Sequence, residues 1–235
     1  MGHHLRNGRR EDVTIADRRG FMLANTRLRT VPHVPEILLH LADESVPLWQ
    51  KTEEELGKIG LPPPYWAFAW AGGQALARYV LDHRGLVAGH RVLDLASGSG
   101  LVAIAAARAG AVPVIAVDVE PFAETAIALN AEANGVYVEI LIADLLDGPV
   151  PRAARYDVIL TGDLFYERTT AARALAFLTC HAAAGTRVLV GDPGRAYLPR
   201  ERLTRECDYA VPVTRELEDQ EIKRTAVWSL AAWAT

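Results

Sequence analysis

The chain carries only two cysteines in 235 residues, Cys180 and Cys207, far apart and outside any His/Cys cluster. That excludes a disulfide framework and leaves no zinc-ligand spacing, so no metal site is expected. Long apolar runs are missing too. No window approaches the roughly eighteen apolar residues of a membrane span. The first twenty residues hold no apolar stretch of signal-peptide length. A soluble, cytoplasmic protein with no membrane partner is the expectation. Basic residues are not in excess: 25 Lys and Arg stand against 29 Asp and Glu, a formal net charge of -4. The electrostatic footprint of a nucleic-acid binder is therefore absent, and no nucleic-acid partner is expected. The one basic cluster, Arg6, Arg9, Arg10, Arg18 and Arg19, reads as a solvated N-terminus.

What is present is a half-apolar composition, 50% hydrophobic and 23% charged, enough for one domain with a sizeable core. The triple proline Pro62-Pro63-Pro64 divides the chain. Residues 1–61 read as an N-terminal extension packing on the core, and residues 62–235 as the main domain. In the extension, Ala16 to Leu28 suits a helix, Glu36 to Ala42 a strand, and Lys51 to Leu56 a short exposed helix stopped at Gly57. The main domain alternates regularly. Helices are predicted over Gly73 to His83, Leu101 to Ala109, Phe122 to Asn134 and Thr169 to Ala184. Strands are predicted over Arg91 to Ala96, Pro113 to Val117, Val136 to Ile142, Tyr156 to Thr161 and Arg187 to Val190. This alternation predicts an α/β fold, a doubly wound, mostly parallel sheet. Asp208 to Leu217 and Glu221 to Trp233 are extended around the polar turn Glu218-Asp219-Gln220, which predicts a terminal antiparallel hairpin and seven strands in all.

The chemistry gathers at Val92-Leu93-Asp94-Leu95-Ala96-Ser97-Gly98-Ser99-Gly100. A buried strand runs into a glycine-rich turn and then a helix, the place where open α/β sheets bind ligands. Gly98 and Gly100 let backbone approach a ligand closely. The turn alone also fits a dinucleotide site. Asp94 decides against that, because a carboxylate here repels a pyrophosphate and attracts the sulfonium and ammonium of S-adenosylmethionine. Asp118 ends the next strand, where an acid can accept from both ribose hydroxyls. Asp144 follows the third strand and is placed to accept from the adenine amino group. Each acid alone could be a helix cap or loop carboxylate; three after successive strands form a consistent set.

With these residues the chain resembles the class I, seven-stranded S-adenosylmethionine-dependent methyltransferases. The resemblance implies a Rossmann-like fold with S-adenosylmethionine as cofactor, and Ser97 and Leu145 join the cofactor contacts. Pro64-Tyr65-Trp66-Ala67-Phe68-Ala69-Trp70-Ala71-Gly72-Gly73-Gln74 is similar to the aromatic and glycine segment before the core of protein-lysine methyltransferases. Carried over, Trp70, Gly72, Gly73 and Gln74 would touch or cover the methionine end. Gly162-Asp163-Leu164-Phe165-Tyr166-Glu167 resembles the Asp-x-Phe-Tyr motif of the electron transfer flavoprotein β-subunit lysine methyltransferases and their bacterial relatives. Glu36 to Ala42 and Pro47-Leu48-Trp49-Gln50 are similar to that family as well. The Asn-Pro-Pro-Tyr signature of enzymes acting on planar nitrogens is absent, which fits a tetrahedral amine acceptor.

The resemblance implies methyl transfer to a lysine of a protein partner, the electron transfer flavoprotein β-subunit, with Asp163, Phe165 and Tyr166 at the acceptor. A free lysine titrates near about 10.4 and must lose its proton before it attacks. An apolar rim of Trp66, Phe165 and Tyr166 favours that loss; Asp163 opposes it and reads as a docking residue. Methylation of a ribosomal or other protein or of a small amine, a nicotinamide-dependent oxidoreductase, and a non-catalytic binding module stay open at this stage.

Overall fold

The computed structural model describes residues 17–42, 63–147, 156–213 and 221–230. The helix expected over Lys51 to Leu56, the segment Pro47 to Gln50, the turn Glu218-Asp219-Gln220 and Arg6, Arg9 and Arg10 lie outside these residues. The N-terminal part opens with α1 (Arg18–Asn25), then β1 (Arg27–Val31) and β2 (Val34–Leu41), an antiparallel pair forming its own two-stranded sheet. The helix is shorter than its expected range. Asp17 accepts from the Gly20 N–H at its start, and at its end Thr26 adopts an extended backbone while its hydroxyl donates to the Met22 carbonyl. The first strand carries no apolar alternation, since four of its five residues are exposed. Its pairing with β2 and the buried Val31 at its end hold it, so periodicity had no signal to offer.

The main sheet contains β3 (Val92–Leu95), β4 (Val114–Asp118), β5 (Glu139–Ile142), β6 (Val158–Gly162), β7 (Arg187–Asp192), β8 (Leu203–Pro212) and β9 (Ile222–Leu230). Their spatial order is β5-β4-β3-β6-β7-β9-β8. The first five strands are parallel, β9 runs antiparallel to β7, and β8 to β9. The seven-stranded sheet with a terminal antiparallel hairpin is thus present. Its boundaries move: β8 starts at Leu203 rather than Asp208, β5 at Glu139 rather than Val136, and β7 continues to Asp192.

Alternation within the strands feeds two cores, because side chains of period two leave opposite faces. Val92, Val114, Ala116, Val158 and Leu160 face a core shared with α2 (Ala71–Asp82), α3 (Leu101–Arg108) and α4 (Pro121–Ala133). Leu93, Leu95, Ile115, Val117 and Ile159 face the other core, with Phe177 and Leu178 of α5 (Arg168–Ala183). Both faces are covered, so the central strands read as continuous apolar runs. Fully buried side chains such as Leu93, Ile104, Ile127 and Leu160 each contribute roughly 1.5–3 kcal/mol.

The N-terminal hairpin packs on α4 through amide side chains. Asn134 exchanges two hydrogen bonds with the Leu38 backbone, and Asn130 Oδ1 accepts from the His40 N–H. Asn130 Nδ2 donates to the Ser99 carbonyl of the glycine turn, so one buried side chain ties the hairpin to the carboxyl edge of the sheet.

Candidate active site

A cleft of about 590 Å³ opens along the carboxyl ends of β3, β4 and β6, within the range of about 300–1,000 Å³ usual for small-molecule sites. Its floor is the turn after β3. Asp94 shares the parity of Val92 and so points to the α3 side. There Oδ2 accepts from the Ser97 hydroxyl at 2.6 Å and the Ala103 N–H at 3.0 Å. Gly98 and Gly100 take positive φ angles of 52° and 83°, which open the turn. Ala96 also has positive φ, 58°, an outlier for a residue with a Cβ.

Asp118, at the end of β4, accepts from the Gly98 N–H at 2.8 Å and the Glu120 N–H at 3.0 Å, fastening one turn to the next. Burial pushes the carboxyls of Asp94, Asp118 and Glu120 upward, Asp94 to about 7. Glu120 lines the cleft, and its Oε2 is buried with no hydrogen-bond partner among the described residues. Sequence reasoning passed over it; the only available signal was its place two residues beyond Asp118. Asp144 stands exposed at the cleft edge, where Oδ1 accepts from the Leu146 N–H and Oδ2 pairs with Arg173 at 2.8 Å. That hydrogen bond lowers its pKa.

The opposite wall is built where α2 crosses the ends of β6 and β7. This crossing needs glycine. A Cβ on Gly191 would lie 2.1 Å from the Gly72 carbonyl oxygen, and one on Gly162 would lie 2.8 Å from the Gly73 nitrogen. Asp163 follows β6 at φ 55° and is largely shielded, its side chain 11% exposed. Its Oδ2 accepts from the Gly73 N–H at 2.9 Å, so it caps α2. Its Oδ1 accepts from Arg195 Nε at 3.1 Å and Nη2 at 2.7 Å. Burial raises the Asp163 carboxyl to about 6 and Asp192 adds to the rise, while Arg195 opposes both. Arg195 follows the segment Asp192-Pro193-Gly194, which in sequence is only a turn; no local pattern reveals that it folds back onto Asp163.

Aromatic rings frame the mouth. Trp66 is buried and stacks on Phe122 at 5.5 Å, while Tyr65 lies 6.0 Å from Trp70 and 5.9 Å from Tyr166. Trp70, Gly73, Asp94, Ser97, Gly98, Asp118, Asp144, Leu145, Asp163 and Tyr166 all line the cleft.

Four expected contacts lie elsewhere. Phe165 is 1% exposed in the core under α5, because its side chain leaves the loop on the face opposite Tyr166. Gln74, on α2, is buried away from the cleft, where Oε1 accepts from the His33 N–H and Nε2 donates to the Ala69 carbonyl. It joins the N-terminal hairpin to the core. Gly72 faces Gly191 and Asp163 rather than the cleft. Gly100 is outside the cleft lining, and a Cβ there would press on Ile127 at 3.3 Å.

Five carboxylates, Asp94, Asp118, Glu120, Asp144 and Asp163, line the cleft against two arginines, Arg173 and Arg195, each already paired with one of them. A pyrophosphate would meet net negative charge there. A phosphate-free cation meets buried carboxylates that gain by its arrival, and S-adenosylmethionine fits that requirement. No group of His, Cys, Asp and Glu suited to a metal ion occurs among the described residues. None of the described helices is long and apolar enough to cross a membrane.

The architecture and the comparisons agree. Two solved structures share the fold: Thermoplasma acidophilum protein 1320 (TM-score 0.53, 19% identity, 69% of this chain and 91% of that one) and the T. thermophilus 16S rRNA N2 G1207 methyltransferase bound to AdoMet and guanosine (TM-score 0.51, 22% identity, 70% and 44%). The model of the ribosomal protein L11 methyltransferase family matches residues 74–164. The protein is a methyltransferase of class I, with the Rossmann-like fold of that class. Electron transfer flavoprotein beta subunit lysine methyltransferases are similar over most of its length. The rat protein is 38% identical over 83% of this chain and 76% of its own, and the zebrafish protein 37% over 90% and 83%. The human protein is 34% identical over 89% and 80%. The chain belongs to this family of lysine methyltransferases.

Proposed function

We propose that the protein transfers methyl groups from S-adenosylmethionine to lysine ε-amines of the electron transfer flavoprotein β-subunit. The observation that carries this reading is the acid-lined cleft in a chain 34–38% identical to enzymes named for that reaction. Asp94, Ser97 and Gly98 would hold the methionine end, Asp118 and Glu120 the ribose, and Asp144 with Leu145 the adenine. When bound, S-adenosylmethionine supplies an electrophilic methyl carbon on a sulfonium.

The chain's own residues supply placement. Trp66, Trp70 and Tyr166 exclude water and disfavour the charged form of the acceptor. Tyr166 and the Asp163–Arg195 pair orient the lysine at the mouth of the cleft. Much of the rate comes from holding amine and methyl in line. Phe165 takes no part in contact; its buried ring fixes the loop that presents Tyr166.

The test is a labelled-methyl assay with purified electron transfer flavoprotein. Label on lysine of its β-subunit is the expected result. No label there, with label on another protein when whole-cell extract is supplied instead, would overturn the substrate assignment.

A further inference from the structure

A carboxylate beside the acceptor should hold lysine as an ammonium, which has no lone pair to attack with. Asp163 is such a carboxylate, yet neither of its oxygens is free. The Gly73 N–H takes Oδ2, and Arg195 takes Oδ1 with both Nε and Nη2. We propose that Arg195 is a positioning residue that cancels the charge of Asp163, so that the acceptor lysine enters the cleft as a neutral amine. This rests on the lysine-methyltransferase reading above.

The geometry of Arg195 is built rather than incidental. Asp192 Oδ1 accepts from the Gly194 N–H at 2.6 Å and the Arg195 N–H at 2.7 Å, which turns the chain back after β7. Gly194 takes φ 96°, and the Arg200 side chain fills the place a Cβ would need. The Arg195 guanidinium carbon stands 5.7 Å from the centre of the Trp70 ring, so an aromatic face steadies it. The two side chains of the ion pair are 20% and 11% exposed, which keeps water from screening the pair.

The fork geometry suits arginine, and a guanidinium stays charged at any working pH. It therefore cannot take the lysine proton, which passes to solvent before the amine attacks. The other charged groups facing the pair are few. Asp192 ends β7, and Arg200 opens the 3-10 turn Arg200–Arg202 that follows. Asp94, Asp118, Glu120 and the Arg173–Asp144 pair line the same cleft, and the Tyr65 and Tyr166 phenols stand at its mouth. With Asp163 compensated, the pair presents no net charge to the acceptor.

The experiment uses the full chain and two variants, Arg195→Gln and Arg195→Lys. Carbon NMR of the Asp163 carboxyl reads its titration without donor or acceptor. Separate assays give kcat and KM for the lysine acceptor between pH 7 and 10, and Kd for S-adenosylmethionine. In Arg195→Gln the Asp163 midpoint is expected to rise by about one unit or more, and the half-maximal pH of kcat to rise by a similar amount. Acceptor KM should not increase, because an ammonium can now pair with the freed carboxylate. Donor Kd at pH 9, above the Asp163 titration, should hold, and Arg195→Lys should recover part of both shifts. An unmoved Asp163 midpoint or an unmoved kcat profile would overturn the proposal. A wild-type protein that methylates no lysine would instead sink the functional reading, while the carboxyl titration still decides whether Arg195 compensates Asp163.

Discussion

Binding of the cationic methyl donor should weaken as the pH falls below 7, and Asp94 sets the size of the effect. Its side chain is 1% exposed, and burial pushes its carboxyl to about 7 against the hydrogen bonds of Ser97 and Ala103. In the free protein it is thus half protonated near neutrality. A sulfonium or ammonium beside it favours the carboxylate, so the bound protein titrates well below that value. Binding at low pH must expel the proton. Between pH 7.5 and 5.5 the affinity should fall by about 25-fold from Asp94 alone, close to 2 kcal/mol. Asp163, at about 6, adds a few-fold at the acid end. The window stays below the range near about 7.7–8.0 where the donor's own amino group titrates. Calorimetry in two buffers of different ionisation enthalpy yields Kd and the proton count together. About half a proton should be released at pH 7 and nearly one at pH 5.5. Asp94→Asn should flatten the profile to the part owed to Asp163 and weaken binding at pH 7.5. A wild-type Kd that moves less than about twofold across the window, or that tightens in acid, would refute the reasoning.

Without donor, the same carboxyls act on folding with the opposite preference. Their folded values of about 7 and about 6 lie above the unfolded value of about 3.9, so the folded state binds more protons and stability is lost as pH rises through them. From pH 8 to 6.5 the melting temperature should therefore rise, by about 2 °C from Asp94, before the lowered pKa values of His33, His40 and His181 begin to oppose it; a scanning fluorimetry series checks this, and Asp94→Asn should remove that share. Asp118→Asn keeps one acceptor oxygen for two backbone N–H groups, so donor affinity should fall by about tenfold or more in equilibrium dialysis with the fold intact, and unchanged affinity would contradict the ribose role. Gly191→Ala would drive a Cβ to 2.1 Å from the Gly72 carbonyl and 2.8 Å from Leu76 Cβ. Backbone cannot yield there cheaply, so a loss of about 1–3 kcal/mol and a melting temperature lower by several degrees are expected; an unshifted melt would show that the α2 crossing is looser than it is drawn.

The fold was legible because its signals are local. Apolar runs bounded by glycines mark β3, β4, β6 and β7, and the acid at the end of β3 followed by the glycine turn places the donor cleft. The first strand escaped because its exposed residues follow no pattern and only β2 explains it. Asp94, Asp118 and Asp144 were legible as a set, since each stands at or close to the carboxyl end of a strand and parallel strands bring those ends to one edge. Phe165 and Gln74 were not: a loop residue's neighbour in sequence can leave by the opposite face, and a helical residue's face depends on what the helix lies against.

The amino-acid order by itself determined the alternation of strands and helices, the parity that turns Asp94 toward α3, and the kind of ligand a phosphate-free acidic edge accepts. Only the tertiary structure decided which charges cancel. Asp163 and Arg195 are 32 residues apart, and their meeting depends on β6 and β7 lying side by side with an Asx-stabilised turn after the second. Charge compensation is a property of distance in space, and no window of sequence contains it.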